Sequence, residues 1–231
     1  MIINGIDTDA LPAQFENTAV PGRVLILDGD GPCYGIAATV KRLDTGIRHF
    51  QQKVLELMFL TKSEYCHVHL TASDSYKNGR FLVNAAKPYQ GNRTNKAKPA
   101  LLEPLRQAVA NNDNWLPEYH VRMNRELEAD DAMMQDAYAL GERSVIWSED
   151  KDLRMTPYPY YCQDKGIILS SQPFGWLTPK VLTSSVKLIG QGPLFFWAQM
   201  LMGDTADNIK GILKLNGKPC GPAGAYEALI S

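Results

Sequence analysis

Three short clusters of carboxylates stand out in this chain of 231 residues. Leu-Asp-Gly-Asp-Gly occupies 27–31, Glu-Ala-Asp-Asp occupies 128–131, and Ser-Glu-Asp-Lys-Asp-Leu occupies 148–153. A fourth motif, Met-Gly-Asp-Thr-Ala-Asp-Asn-Ile-Lys-Gly at 202–211, adds two more acids. Oxygen ligands without a neighbouring histidine or cysteine favour hard divalent ions such as Mg²⁺ or Mn²⁺. The clusters therefore predict metal-assisted chemistry, in which the ions offset the repulsion between the acids.

Predicted strands would bring several of these acids to one place. The segments 24–27, 67–71 and 144–147 are predicted strands, of which the first and third are typical of buried strands, and acids follow each of them. The acids after these strands are Asp28, Asp74, and the pair Asp150 and Asp152. In a parallel sheet, ligands bind beyond the carboxyl ends of the strands. We therefore expect the acids to converge at one edge of the sheet.

The first two clusters also have purely structural explanations. The motif at 27–31 could be an ordinary turn in which Gly29 and Gly31 let the chain bend sharply. Acids at a helix N-terminus contribute about 0.3–1 kcal/mol each, which explains one or two of them better than a cluster. On a helix, Glu128 and Asp131 share a face, whereas Asp130 points in another direction.

The two later motifs can be explained in the same way. The acids at 148–152 could belong to an exposed loop, although the buried strand before them favours a functional role. The glycines at 203, 211, 221 and 224 could simply end and begin helices. Alternatively, glycine turns at helix N-termini present backbone N–H groups to phosphates.

A basic segment precedes the acidic part of the chain. Residues 75–106 contain seven Lys or Arg and one acid, a balance of +6, whereas residues 107–156 contain five Lys or Arg and eleven acids, a balance of −6. The stretch 76–98 combines positive charge with aromatic rings, which suits single-stranded nucleic acid. Its basic side chains include Arg80, Lys87, Arg93, Lys96 and Lys98, and its rings include Phe81 and Tyr89. The alternatives are a disordered basic loop and two oppositely charged solvated faces.

The order of predicted elements defines the fold class. Strands alternating with helices predict an α/β fold with a mostly parallel central sheet flanked by helices. Helices are predicted from about residue 34, and at 48–60, 99–110, 127–140, 194–202 and from 222 to the end. Further strands are predicted at 119–123 and as an edge hairpin of 160–161 with 166–169.

Composition narrows the class of protein. No stretch reaches the roughly 18 apolar residues that a membrane span needs, and the N-terminus has no secretory pattern. The four cysteines lie far apart and form no CxxC pair, which indicates reduced thiols in a cytoplasmic protein. We therefore expect no membrane partner and a cytoplasmic location, in the host cytoplasm if a phage encodes the chain.

Taken together, the motifs resemble the 5′-nuclease family of phage 5′→3′ exonucleases, DNA polymerase I 5′-nuclease domains and flap endonucleases. The resemblance runs from about residue 24 to 231 and rests on 128–131, 148–153 and 203–211. It implies a PIN-like nuclease domain at 23–192 after an N-terminal extension at 1–22. It also implies a basic arch region at 76–106, in which residues 89–93, 98–99 and 105–106 match. Residues 193–231 would form a helix-hairpin-helix-type element, apparently truncated because family members continue further.

The resemblance implies a set of metal ligands for two ions, Mg²⁺ or Mn²⁺. The ligands nearest the more tightly bound ion would be Asp28, Asp74, Glu128, Asp130 and Asp150. The second ion would be served by Asp131, Asp152, Asp204 and Asp207. By the same resemblance, the residues closest to the chemistry are Asp28, Asp130, Asp150, Arg93 and Lys87, whereas Asp30 is peripheral.

The resemblance also implies a DNA-binding set, and a K⁺ ion could bind at the helix-hairpin-helix-type element. The set is Arg80, Lys87, Tyr89, Gln90, Arg93, Lys96, Lys98, Gly203, Asn208, Lys210, Gly211, Gly221 and Gly224. Two positions depart from the family, which usually has Lys where Gln90 stands and often has Pro where Lys210 stands. Lys87 or Arg80 could replace the missing lysine.

The resemblance implies a monomer that hydrolyses DNA near a 5′ end, flap or nick with the help of a divalent metal ion. The sequence leaves open the balance between exonuclease and flap endonuclease, and the preference for DNA or RNA:DNA. One alternative is a haloacid-dehalogenase-type phosphatase with Asp28 as nucleophile and Asp30 as acid and base. Another is a structure-specific DNA-binding protein with weak catalysis.

Overall fold

The structure, a computed structural model, describes residues 2–3, 6–7, 19–83, 97–111, 115–183, 185–204 and 209–230. Its strands are β1 (Ile2–Ile3), β2 (Ile6–Asp7), β3 (Val20–Asp28), β4 (Ser63–Thr71), β5 (Tyr119–Asn124), β6 (Ser144–Trp147), β7 (Tyr160–Cys162), β8 (Ile167–Leu169), β9 (Trp176–Val181), β10 (Val186–Gln191), β11 (Gly203–Asp204) and β12 (Ile209–Lys210). Its α-helices are α1 (Asp30–Thr39), α2 (Leu43–Thr61), α3 (Leu102–Ala110), α4 (Ala129–Leu140), α5 (Gly192–Met202) and α6 (Pro222–Ile230).

A six-stranded sheet forms the centre of the fold. Its strand order is β5-β4-β3-β6-β7-β8, with all neighbours parallel except β7 and β8 at the edge. The predicted α/β class with a mostly parallel sheet is confirmed, and so is the predicted edge hairpin. Because the central strands carry runs such as Val24 to Leu27, which are buried on both sides, helices must cover both faces.

The two faces of the sheet have separate apolar cores. On one face, side chains such as Leu25, Leu27 and Val68 pack with α1, α2 and α3. On the other face, Ile26 and Ile146 pack with Met133 and Ala137 of α4. Successive side chains of a strand point to opposite faces, so neighbouring residues of β3 divide between these two cores.

A third, smaller core lies in the C-terminal part of the chain. Hairpin β9–β10 packs against α5 and α6 through Leu177, Leu188, Phe195, Ala198 and Ala225. The sequence did not predict this hairpin, which begins before the boundary placed at residue 193. Pro179 interrupts the strand pattern, and a two-stranded hairpin tolerates it because each strand has a free edge.

Several predicted boundaries differ from the structure. Strand β3 begins at Val20, inside the range assigned to the N-terminal extension, whose residues before 19 lie mostly outside the described chain. Helix α1 begins at Asp30 rather than near residue 34. Helix α3 buries Leu105 and Arg106 against the core, so this end of the predicted arch region is a packed helix. Among the described residues, no helix is both long and apolar enough to cross a membrane.

Candidate active site

Asp28 stands at the carboxyl end of the central strand β3. Its carboxylate accepts hydrogen bonds from Ser148 Oγ at 2.7 Å and from the backbone N–H of Asp30 at 3.0 Å. Ser148 Oγ also accepts a bond from the backbone N–H of Asp150 at 2.9 Å. One hydroxyl therefore ties the end of β3 to the acidic turn after β6.

The surroundings of Asp28 disfavour its charged form. Burial raises the pKa of Asp28 to about 6, and the nearby charges of Asp30 and Asp150 act in the same direction, whereas the bond from Ser148 partly opposes them. A carboxylate in this state is stabilised by a cation because the cation lowers the cost of its charge. Asp28 is therefore suited to bind a metal ion.

Gly29 is required by close packing rather than by a sharp bend. Its φ is −83°, which other residues adopt easily, so the expected sharp turn does not require a glycine at this position. A Cβ atom here would lie 2.8 Å from the side chains of Val68 and Leu70 and 3.0 Å from the backbone oxygen of His69. The N–H of Gly29 donates to that oxygen at 2.9 Å. The glycine thus lets the end of β3 lie directly against β4.

Asp30, the second acid of this motif, faces other partners. Its carboxylate pairs with Arg106 at 2.8 Å and accepts the backbone N–H of Thr71. These contacts join the start of α1 to α3 and β4. They agree with the peripheral position that the resemblance implies for Asp30.

A compact group of acids, the α4 group, consists of Glu128, Asp130 and Asp131. One oxygen from each lies within 4.8 Å of the others, which a single divalent ion could bridge. The expectation that Asp130 points away is wrong, because α4 begins at Ala129 rather than at residue 127. Glu128 is therefore the N-cap with an extended backbone (φ −79°, ψ 160°), and helical spacing does not restrict its side chain.

The electrostatics of the α4 group favour a bound cation. Burial raises the pKa of Asp130 to about 7, with further contributions from the charges of Asp131 and Glu128. The backbone N–H of Ala129 donates to Thr71 Oγ1 at 2.8 Å, which attaches the start of the helix to the end of β4. The three acids are therefore held at the same edge of the sheet at which β3 ends with Asp28.

Two basic side chains contact the α4 group. The guanidinium of Arg80 binds Glu128 through one nitrogen and Asp131 through the other, the second at 2.5 Å. Lys77 Nζ lies 3.0 Å from Glu128. Both belong to a 3₁₀ segment, Lys77–Leu82, that follows β4. Arg80, predicted from sequence to bind DNA, thus makes its described ion pairs with carboxylates.

A second group of acids, the β6 group, consists of Asp150 and Asp152, which follow β6, and of Asp204 in β11. Asp150 caps the 3₁₀ turn that contains Asp152, and Asp204 follows α5. Lys151 Nζ bridges Asp152 at 3.1 Å and Asp204. Desolvation raises the pKa of Asp150, and the charges of Asp152 and Asp204 add to this. Asp28 interacts electrostatically with Asp150 and so adjoins this group.

Four neighbours of these acids were not recognised from the sequence, namely Thr71, Ser148, Lys151 and Gln199. Gln199 Nε2 donates to Asp152 at 2.9 Å, and Lys151 donates to the Gln199 side-chain oxygen at 2.6 Å. Gln199 is the one polar side chain within the apolar run 194–202 of α5. That polar interruption was the available signal for its role.

Other predicted site residues lie apart from these groups or outside the described residues. Asp74 is largely exposed, and its described ion pair is with Arg125 at 3.2 Å. Lys98 and Lys210 are exposed. The predicted site residues outside the description are Lys87, Tyr89, Gln90, Arg93, Lys96, Asp207 and Asn208.

The glycines of the fourth motif have a packing role in the structure. Gly203 has φ +77°, and a Cβ on it would lie 2.2 Å from the backbone nitrogen of Gly211. A Cβ on Gly211 would lie 2.3 Å from the backbone oxygen of Leu201. The pair closes the short hairpin β11–β12, which positions Asp204. Gly221 precedes α6, and Gly224 lies in its first turn.

An open groove of about 380 Å³ lies between α1, α2 and the residues at the end of β6. Gly31 lines it, and a Cβ on that residue would lie 4.0 Å from an oxygen of Asp28. The other side is formed by α2, including His49 and Lys53, and by Trp147 and Glu149 at the end of β6. Among the described residues, none of the predicted metal ligands lines this groove.

Comparison with known proteins identifies the fold. No protein-family model matches the sequence, and no curated protein is significantly similar to it. Solved structures of a bacteriophage T5 protein are similar. One is the T5 5′-exonuclease with bound zinc (TM-score 0.59, 14% identity, covering 89% of this chain and 74% of that chain).

Two further structures from bacteriophage T5 match over a similar range. One is the same phage's protein co-crystallised with metal ions, and the other is its flap endonuclease in a pseudo-enzyme–product complex with DNA and metal ions. Each has a TM-score of 0.58 and 15% identity, covering 89% of this chain and 73% of that chain. The chain thus has the fold of the phage T5 5′-exonuclease, as the sequence resemblance implied.

Proposed function

We propose that this protein is a divalent-metal-dependent nuclease that hydrolyses DNA phosphodiesters near a 5′ end. The observation that carries the proposal is the α4 group, whose three carboxylates converge within 4.8 Å at the sheet edge where Asp28 ends. The similar T5 structures, which contain metal ions and in one case DNA, support this function.

The donor chemistry fits Mg²⁺ or Mn²⁺. All the acids offer hard oxygen ligands, and the raised pKa values of Asp28 and Asp130 show how costly their charges are without a cation. One ion would be held by Glu128, Asp130 and Asp131, and a second by Asp28, Asp150, Asp152 and Asp204. This division differs from the one that the resemblance implies, which assigns Asp28 and Asp150 to the first ion and Asp131 to the second. Asp74 and Asp207 remain candidate ligands by resemblance. When bound, such a pair of ions activates water and stabilises the leaving oxygen of a phosphodiester.

The remaining residues of the proposed site bind and orient the substrate. Arg93 and Lys87 would place positive charge at the scissile phosphate, and the basic region 76–98 would collect the single-stranded 5′ end. Ser148 would hold Asp28 and Asp150 in register through the two hydrogen bonds it makes. Backbone N–H groups near Gly203, Gly211, Gly221 and Gly224 would bind the duplex without reading its sequence, with K⁺ as a further possible ligand.

The alternatives are less well supported. A phosphatase that uses Asp28 and Asp30 would need Asp30 to exchange protons with substrate, yet Asp30 is engaged by Arg106 and the backbone of Thr71. It would also leave the α4 group without a role. A DNA-binding protein without catalysis would keep the fold and the basic region but would have no use for the raised pKa values.

The test is product analysis with 5′-labelled duplex, flap and gapped DNA in Mg²⁺, Mn²⁺ and EDTA. We expect cleavage near the 5′ end that requires the metal and is lost in the variant Asp130→Asn. The matched control is Asp44→Asn, which removes one carboxylate whose described ion pair is with exposed Arg42. Binding of flap DNA without cleavage in either metal would contradict the proposal, as would an aspartyl-phosphate trapped on Asp28.

A further inference from the structure

A buried carboxylate in the middle of α4 contacts two histidines of β4. Asp136 is mostly buried, and its Oδ2 lies 2.7 Å from Nδ1 of His67 and 3.1 Å from Nε2 of His69. On the other oxygen, Arg122 of β5 lies at 3.8 Å. The cluster includes no residue of the α4 group, of the β6 group or of the proposed DNA-binding set.

The protonation states in this cluster follow from its hydrogen bonds. Burial alone would raise the pKa of Asp136, but the bonds from His67 and His69 together outweigh it and hold the pKa well below its usual range. An ionised carboxylate only accepts, so His67 donates from Nδ1 and His69 donates from Nε2. Burial also lowers the pKa of His69, which keeps that ring neutral at ordinary pH. The cluster is therefore an ionised Asp136 with two imidazole donors.

The two histidines lie on the strand that neighbours Asp28. They are two residues apart and so point to the same face of the sheet, towards α4. In the parallel pairing of β3 with β4, His69 stands opposite Asp28. The backbone oxygen of His69 also accepts the N–H of Gly29 at 2.9 Å. A single short stretch of β4 is thus attached to the end of β3 by its backbone and to α4 by its side chains.

Helix α4 is attached to β4 at two points. At its start, Ala129 N–H binds Thr71 Oγ1, and seven residues later Asp136 binds His67 and His69. With a rise of about 1.5 Å per residue, the two points are about 10 Å apart along the helix. Met133 and Ala137 of α4 also pack in the apolar core of this face, but apolar packing is non-directional. The two polar attachments therefore add fixed points that restrict tilt and rotation of the helix. The α4 group lies in the first turn, next to the first attachment.

We propose that Asp136 is a positioning residue for the metal site: through His67 and His69 it fixes α4 on β4 and so sets the placement of Glu128, Asp130 and Asp131 relative to Asp28. The metal-binding part of this inference rests on the proposed function. A purely structural role would lower the stability of the protein without changing the affinity of the folded protein for metal. Outer partners that orient metal ligands typically change affinity by about 10–100-fold when they are removed.

The test compares Asp136→Ala and Asp136→Asn with the wild type and with Val54→Ala. The asparagine keeps a side-chain oxygen that can accept both imidazole N–H groups, whereas alanine keeps none. Val54 is buried in α2 on the opposite face of the sheet, so its truncation lowers stability away from α4. Affinity for Mn²⁺ is measured by titration calorimetry without DNA, well below each melting temperature. Amide hydrogen exchange is followed in a peptide that covers 127–136.

We expect Asp136→Ala to weaken Mn²⁺ binding about tenfold or more and to speed exchange in the first turn of α4. Asp136→Asn should lie between it and the wild type, and Val54→Ala should change neither measurement. Wild-type affinity and exchange in Asp136→Ala would overturn the inference. A wild type that binds no Mn²⁺ would instead contradict the proposed function. In that case the exchange comparison alone decides whether Asp136 positions the helix.

Discussion

The α4 group and the β6 group gather carboxylates in different ways. Glu128, Asp130 and Asp131 come from four consecutive positions, and their positive partners, Lys77 and Arg80, come from a distant segment. The acids of the β6 group come from two parts of the chain, after β6 and after α5, with Asp28 of β3 beside them. Their positive partner, Lys151, lies between two of these acids in sequence.

This difference predicts two ions of unequal affinity. A helix start fixes the backbone of Asp130 and Asp131, so the α4 group is largely formed before an ion arrives. An ion must displace a positive side chain at either group, Arg80 at the α4 group and Lys151 at the β6 group. The β6 group depends in addition on Gln199 of a separate helix, so more of its geometry must be ordered when an ion binds. Preorganised ligands bind more tightly because less ordering opposes binding. We therefore expect the tighter ion at the α4 group and the weaker one at the β6 group.

The largest effect should come from Asp130→Asn. Loss of a ligand to the tighter ion removes several kcal/mol of transition-state stabilisation, which corresponds to at least about a hundredfold loss in kcat. The metal-free protein should instead melt at a higher temperature, because a charge opposed by burial, Asp131 and Glu128 has been removed. Single-turnover cleavage of a 5′-flap substrate tests the predicted loss of rate. Thermal melts in EDTA test the predicted rise in melting temperature.

The control for this variant is Asp44→Asn, which should leave both the rate and the melting temperature nearly unchanged. A rate for Asp130→Asn within a few-fold of the wild type would mean that the α4 group does not hold a catalytic ion. An unchanged melting temperature would mean that the neighbouring acids do not oppose its charge.

Asp150→Asn should have a smaller effect of a different kind. The weaker ion would keep Asp28, Asp152 and Asp204, so we expect a loss of about tenfold to a hundredfold that excess Mn²⁺ partly restores. The measurement is the cleavage rate as a function of Mn²⁺ concentration. Glu149→Gln removes the same charge from the neighbouring residue and should shift this curve little. Equal losses for Asp150→Asn and Asp130→Asn at all concentrations would contradict the unequal affinities.

The same contrast explains which features the sequence could predict. Strand Ser144–Trp147 was predicted with the bounds it has, because a short apolar run followed by polar residues is typical of a buried strand in a parallel sheet. The α4 group was found as a motif because its members are adjacent. Its geometry was partly wrong because a single residue, Glu128, lies at the N-cap rather than inside the helix.

The β6 group shows where sequence patterns are insufficient. Gln199 and Lys151 acquire their roles only when α5 packs beside the turn after β6, a contact between residues 48 positions apart. Hairpin β9–β10 was missed because its pattern contains Pro179 and its partners are distant helices. The contact of Asp136 with His67 and His69 has the same origin, since it spans about 70 residues.

The pH dependence of metal binding should also separate the two groups. Asp130 has its pKa raised to about 7 and Asp28 to about 6, so each must lose a proton before it binds an ion at lower pH. We expect affinity at the α4 group to fall by up to about tenfold per pH unit below about pH 7, and at the β6 group only below about pH 6. Calorimetry with Mn²⁺ between pH 5.5 and 8 measures both transitions.

The metal-free protein should show the opposite trend. Both acids have a folded pKa above the unfolded value near 4, so their contribution to stability is full below pH 4. It is lost as the pH rises through about 6 and 7. Melting temperatures in EDTA should therefore show a decline over this range that Asp130→Asn reduces. A Mn²⁺ affinity that is the same at pH 5.5 and pH 8 would contradict the predicted pH dependence of binding, and a constant melting temperature in EDTA would contradict the trend of the metal-free protein.

The smallest effects should come from the positive partners, which compete with the ions for the same oxygens. Arg80 binds two acids of the α4 group with its planar fork and is mostly buried, so Arg80→Met should tighten Mn²⁺ binding there by about tenfold. Lys151 is half exposed, so Lys151→Met should tighten binding at the β6 group by no more than about fivefold. Without metal, both variants should melt at lower temperatures because the acids lose their partners.

The exposed Arg48 provides the matched control, since Arg48→Met removes a positive charge whose described contact is a hydrogen bond to Thr45. Calorimetry at low and high salt tests the mechanism further, because screening should shrink the gain for Lys151→Met more than the gain for Arg80→Met. If Arg80→Met weakened Mn²⁺ binding, the guanidinium would be supporting the ligands rather than occupying their place. The α4 group would then owe its order to Arg80 as well as to the helix start.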